Sequence, residues 1–157
     1  MINRKSIRAL LFTPQADVLL MQIENPSNNT LFWITPGDGI ENDENATTCL
    51  KRELLEETGR SDFIIGPHIW NRCHVFEWNN EQICQNEEYY FVQVEKFIPQ
   101  MKNNPSETEL MVYKRFKWWK VNEILCSEDL FAPRELGAYI QDIIVNGRPK
   151  QPITVAV

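Results

Sequence analysis

The stretch from Ala46 to Thr58 constrains this chain more than any other, because it has helical spacing and an acidic end. Wound at about 100° per residue, it puts Ala46, Cys49, Leu50 and Leu54 on one apolar stripe, the face expected to pack on a sheet. Glu53 and Glu57 fall inside that same stripe, and Glu56 lies at its edge. Carboxylates four apart repel, and half-buried ones need a counter-charge. Lys51 points elsewhere on the wheel. Arg52 precedes Glu56 in the less favoured order, and Arg60 stands on the right side just past the helix end. A hard divalent cation, which prefers oxygen ligands, answers the problem better. The competing reading is a solvated acidic face with ordinary surface pairs. Against it stands the loop just upstream, Pro36-Gly37-Asp38-Gly39, whose glycines let backbone approach a ligand closely.

The rest of the chain alternates between strand and helix patterns. Ser6 to Thr13 and Val18 to Ile23 read as a hairpin across the turn at Pro14 to Asp17. Leu31 to Thr35 is a short strand ending at Pro36. Asp43 or Asn45 is the expected cap of the acidic helix, and Gly59 its stop. Phe63 to Phe97 reads as β structure with a hairpin at Asn79-Asn80, and Arg115 to Val121 as a further strand. A short helix is expected over Asn122 to Cys126 and a last one from about Pro133 to Val145, ended by Asn146-Gly147. The pattern does not place the tail, Arg148 to Val157. This mixture predicts an α/β domain, a mixed sheet with helices packed on it, spanning residues 1–157.

The formal charge of −6 argues against a polymeric nucleic-acid partner, which needs a basic stripe. It leaves a small phosphate ligand open, since a bound metal reverses the local field. No apolar run approaches the roughly 18 residues of a membrane helix, so no membrane partner is expected. The start, Met1 to Lys5, leads into too short an apolar run for a secretory leader. Cys49, Cys73, Cys84 and Cys126 form no C-x-x-C pair, which points to reduced thiols and a cytoplasmic protein.

Asp38 to Arg60 closely resembles the box of the Nudix hydrolase family, G-x5-E-x7-R-E-U-x-E-E-x-G-U, with U a bulky apolar residue. Glu44, Arg52, Glu53, Leu54, Glu56, Glu57 and Gly59 fall on its defined positions without a gap. Two positions depart. Asp38 stands for the first glycine, where it either changes the loop or adds a carboxylate near the metal. Arg60 stands for the last apolar residue, where it could pair with Glu56 or Glu57. The lead-in Trp33-Ile34-Thr35-Pro36-Gly37 and the segment from Trp118-Trp119 to Glu123-Ile124 are similar to family members as well.

The resemblance implies a Nudix-type α/β/α sandwich with a loop-helix-loop catalytic motif. It implies a magnesium-dependent hydrolase (manganese as the alternative) that cleaves a diphosphate linkage in a nucleotide or nucleoside-diphosphate-linked small molecule. By position, Glu53, Glu56 and Glu57 would bind metal, with the backbone carbonyl of Gly37 as a further ligand. Glu53 and Glu57 would be catalytic, and Glu44 and Arg52 would orient that shell. An acid from outside the box is expected to join it, with Glu87, Glu107 and Glu109 as candidates. The alternative is a catalytically weak module that binds a nucleotide or sugar nucleotide as a sensor. Two-fold assemblies are common, so a homodimer is the default oligomer.

Phe32, Trp33, Trp70, Phe76, Trp78 and Trp119 are the candidate stacking partners for a base, set against ordinary packing in the sheet core. His68 and His74 are read as structural or surface residues, and Cys49 as a small core residue. Strand alternation puts only one of Glu87 and Glu88 on each face of the sheet.

Overall fold

The computed structural model describes residues 1–78, 80–101 and 112–157. Its elements run in chain order as β1 (Ile2–Phe12), β2 (Asp17–Asn25), β3 (Thr30–Ile34), β4 (Gly37–Gly39), α1 (Ala46–Thr58), β5 (His68–Trp78), β6 (Glu81–Gln93), β7 (Val112–Lys120), α2 (Val121–Cys126), β8 (Phe131–Ala132), α3 (Leu136–Asn146) and β9 (Ile153–Thr154). Among the described residues nine strands form one mixed sheet in the order β8-β3-β2-β1-β6-β5-β9, with β4 paired to β1 and β7 to β2.

Alternation along β1 sorts the core into two layers. Ile7, Ala9 and Leu11 point to the face covered by Cys49, Leu50 and Leu54 of α1. Leu10 points to the other face, where Trp33, Trp70 and Trp119 meet Ile124 of α2 and Leu136, Ile140 and Ile143 of α3. A helix on one face and two on the other make the sandwich an α/β/α one.

The expected hairpin between β1 and β2 forms only at its base, at Phe12↔Val18. Beyond it the strands take different partners. β1 runs parallel to β6 from Ile2↔Ile83 to Phe12↔Gln93, and β2 runs antiparallel to β7. The parallel partner needs a crossover through α1, a non-local pairing that no turn signal announces. The region expected to be β structure from residue 63 is strand only over β5 and β6, and the flanking segments are irregular. The unplaced tail returns to the sheet: β9 pairs in parallel with Trp70 and Asn71, and Val155 is buried beside them. Among the described residues no helix is long and apolar enough to cross a membrane.

Candidate active site

Helix α1 starts where its local chemistry puts it. Asn45, not Asp43, is the cap, its side chain accepting from the Thr48 N–H at 2.8 Å. Gly59 ends the helix in the left-handed region at φ 82°, with its N–H donating to the Leu55 carbonyl. Between these ends Glu53 and Glu57 are buried at 6% and 4% exposure, whereas the Glu56 side chain stays about a third exposed.

A single arginine organises this acidic face. Nε and Nη2 of Arg52 grip both oxygens of Glu44 at 2.7 and 3.0 Å, a bidentate fork. Nη1 of Arg52 donates to Glu53 at 2.7 Å and lies 3.6 Å from Glu56, while Nη2 also reaches the Gly39 carbonyl. Glu44 in turn accepts from the Glu41 N–H, and the Arg52 hydrogen bond holds its carboxyl below the ordinary range.

Gly37 joins the two faces of the sheet. Its N–H donates to Glu57 Oε1 at 2.8 Å on the α1 side, and its carbonyl accepts from Arg8 Nη1 at 2.7 Å. Its φ is 127°, and a Cβ there would be driven into the Ile7 carbonyl oxygen, so β4 can lie against β1 only with glycine at this position. Asp38 adopts no left-handed backbone and sits 3.8 Å from Arg4. Its charge is near enough to act on Glu53 and Glu57. Burial, then Asp38, pushes the Glu53 carboxyl up to about 7. Burial, then Glu53, raises Glu57 well above the ordinary range.

Arg60 takes no part in this shell. It pairs with Asp62 at 2.8 Å and lies over the rings of Phe97 and Phe63, at 4.6 and 5.3 Å from their centroids. The departure from an apolar residue is thus met by stacking on aromatics rather than by competition for the acids.

Where β1 parts from β2, a cavity of about 100 Å³ opens between the two halves of the sheet. Ile23, Phe32 and Ile34 are among its apolar lining, and Arg4, Arg8, Asp38, Arg72 and Glu87 among its charged lining. Glu87 is clamped inside it. Oε2 accepts from Arg8 Nε at 2.9 Å, and Oε1 from Arg72 Nη1 and the Tyr89 hydroxyl. Burial opposes its charge, yet Arg8 and Arg72 outweigh burial and hold the carboxyl below its ordinary value. Glu107 and Glu109 lie outside the described residues. Arg4, Arg8 and Arg72 were not singled out from the sequence. The available signal was a charged residue set within an apolar strand, as Arg8 is in β1.

Of the candidate aromatics, Phe32 and Phe76 line the cavity, while Trp33, Trp70 and Trp119 belong to the core. The Trp78 side chain lies outside the described residues. His74 stacks on Phe76 and also lines the cavity, and His68 stacks on Tyr90. Cys49 is fully buried, and burial pushes its thiol up to about 12, which leaves it inert.

Glu53, Glu56 and Glu57 offer carboxylate oxygens, the donor type that a hard divalent cation prefers. Burial and neighbouring carboxylates raise Glu53 and Glu57 in pKa, a cost that a cation beside them would relieve. As they stand, the Gly37 carbonyl is engaged by Arg8, and among the described residues no three acidic, histidine or cysteine side chains are grouped to hold a metal ion.

A model of the NUDIX domain matches residues 2–140. Among solved structures, the NUDIX domain of Shewanella oneidensis NrtR complexed with ADP ribose superposes with a TM-score of 0.66 at 19% identity, over 92% of this chain and 90% of that one. The MutT protein from Methanosarcina mazei Go1 gives 0.65 at 20% identity, over 89% and 94%. A C. elegans Ap4A hydrolase binary complex gives 0.62 at 15% identity, over 90% and 96%. At these identities the likeness is one of fold. No curated protein sequence matches significantly.

Proposed function

Since this chain belongs to the Nudix family, we propose that it is a divalent-metal-dependent hydrolase that cleaves a diphosphate linkage in a nucleotide or nucleoside-diphosphate-linked small molecule. The observation that carries this reading is the buried acidic set on α1, fixed by Gly37 and Arg52 next to an arginine-lined cavity. Glu53, Glu56 and Glu57 would hold the metal, magnesium or manganese. When bound, it would neutralise phosphate charge and acidify a coordinated water.

The chain's own residues divide the remaining work. Arg52, held by Glu44, keeps Glu53 in place, and the Gly37 N–H keeps Glu57 in place. Glu53 is the group we assign to take the proton from the attacking water as the new O–P bond forms and the bridging P–O bond breaks. Arg4 and Arg8 face the cavity and offer positive charge to the phosphates. Glu87, with both oxygens engaged by arginines, shapes that charge rather than joining the metal shell.

One observation favours the second reading, a binding module with weak or no turnover: Arg8 holds the Gly37 carbonyl that the resemblance gives to the metal. Phosphate-coupled hydrolysis of a nucleotide panel, with magnesium and with chelator, separates the two. The hydrolase reading expects magnesium-dependent cleavage that Glu57→Gln nearly abolishes while the circular dichroism stays unchanged. Saturable nucleotide binding with no cleavage of any compound would install the binding module instead.

A further inference from the structure

Cys73 of β5 and Cys84 of β6 are brought together by the antiparallel pairing of the two strands. Cys73 faces Asn86 and Cys84 faces Val75, so the two cysteines are diagonal neighbours on one face of the pair. Their Sγ atoms are 3.4 Å apart, in hydrogen-bonding contact. Cys73 is exposed and Cys84 half-buried. Alternation turns their chain neighbours Arg72 and Gln85 to the other face, where both are buried and line the cavity. Among the described residues neither cysteine joins a core cluster. The other two cysteines differ in kind. Cys49 is fully buried, and Cys126 is exposed without a sulfur contact among the described residues.

The pair has what thiol–disulfide exchange requires. The attacking group is a thiolate, and hydrogen-bond donors around a sulfur favour it. Cys84 Sγ accepts from Asn86 Nδ2 at 3.7 Å and is placed to accept from the Cys73 S–H as well. That second contact raises the Cys73 thiol above its ordinary value, so Cys73 keeps its proton while it donates. A second thiol at 3.4 Å then stands ready to resolve any adduct formed on Cys84.

We propose that Cys73 and Cys84 form a redox-modification site, a dithiol that a low-molecular-weight disulfide such as oxidised glutathione converts into an intramolecular bridge between β5 and β6. The Cys84 thiolate attacks one sulfur of the reagent. A new S–S bond forms, the reagent's S–S bond breaks, and one glutathione leaves as its thiolate. Cys73 gives its proton to solvent and attacks the Cys84 sulfur of the mixed disulfide, which releases the second glutathione. The two cysteines lose two electrons, and the reagent gains them as two thiols. The sulfurs have to close only from 3.4 Å to about 2.0 Å. An exposed bridge of this kind is also the readily reduced kind, so reduced glutathione reverses the reaction. The inference stands apart from the hydrolase reading, since neither sulfur lines the cavity.

The test incubates the whole chain, reduced and then freed of reductant, with oxidised glutathione. Intact mass and peptide mapping without reduction follow the products. The expected product is a chain lighter by two hydrogens, with the peptides of Cys73 and Cys84 joined, and reduced glutathione should restore the starting mass. Cys126 serves as the internal reference, because alone it can go no further than a glutathione adduct. Cys73→Ser should stop at the adduct on Cys84, which then accumulates. Both substitutions open to this test lie at the surface end of the strand pair, and the wild-type products decide the matter without them. A glutathione adduct that persists on Cys73 or Cys84 in the wild type would overturn the proposal. So would both thiols staying free, or a bridge that joins two chains rather than the two strands of one.

Discussion

Gly37 serves both faces of the sheet with a single residue, its N–H on Glu57 and its carbonyl on Arg8. Alanine there meets both a φ of 127° and the Ile7 carbonyl. Gly37→Ala should therefore cost about 2–4 kcal/mol in urea unfolding, with the loss of the Glu57 hydrogen bond as part of the damage. Glu87 is the second decisive residue. Its folded pKa lies below the ordinary 4.5, so its pairing with Arg8 and Arg72 contributes fully above that value. That contribution is lost as pH falls through the folded pKa. Glu87→Gln leaves two buried arginines without their partner and should lose about 3–5 kcal/mol at pH 7. The gap between wild type and variant should narrow in urea melts taken below the ordinary carboxylate pKa. A gap of constant size from pH 7 to pH 3 would show that the pair contributes nothing through its charge.

At the scale of the element, α1 has two functions that share one stripe. Its first turns bury Cys49 and Leu50 in the core, and its last turns carry Glu53 and Glu57 to the loop of Gly37. Its start depends on Asn45, and Asn45→Ala should cost about 1 kcal/mol, measured as a shift in the urea midpoint. Substitution at Arg52 should act differently. Arg52→Lys cannot reproduce the fork on Glu44. If Glu53 takes the proton, this variant should lower kcat more than it raises KM, with stability little changed. The parting of β1 from β2 is the other consequential feature. A long regular hairpin would have filled the space that the cavity occupies.

For the whole molecule, the last residues complete the layer opposite α1. β9 docks on β5, and Val155 joins the cluster of Trp70 and Ile143. Val155→Ala should cost about 2 kcal/mol, seen as a lower unfolding temperature. Under the hydrolase reading, magnesium at ten times its Kd should add about 1.4 kcal/mol to folding by mass action. Glu57→Gln should remove that increment, and a wild type whose melting ignores magnesium would count against a metal at the acidic helix.

Local chemistry was enough to determine α1 from Ala46 to Thr58, its stop at Gly59, and the placing of Glu53 and Glu57 on the buried stripe. Caps, helical periodicity and the spacing of the box all act within a few turns of chain, so sequence displays them directly. It also carried the family, because the box is one continuous segment. Only the tertiary structure decided that β1 would pair in parallel with β6, and so bring Arg8 onto Glu87, 79 residues away. It also turned Arg60 to Asp62 and two phenylalanines, and chose Phe32 and Phe76 over three core tryptophans to line the cavity. For the residues in strands the physical reason is the same. A charged or aromatic side chain in a strand takes its partner from whichever strand lies beside it, and that neighbour is set by long-range pairing that leaves no periodic trace in the chain.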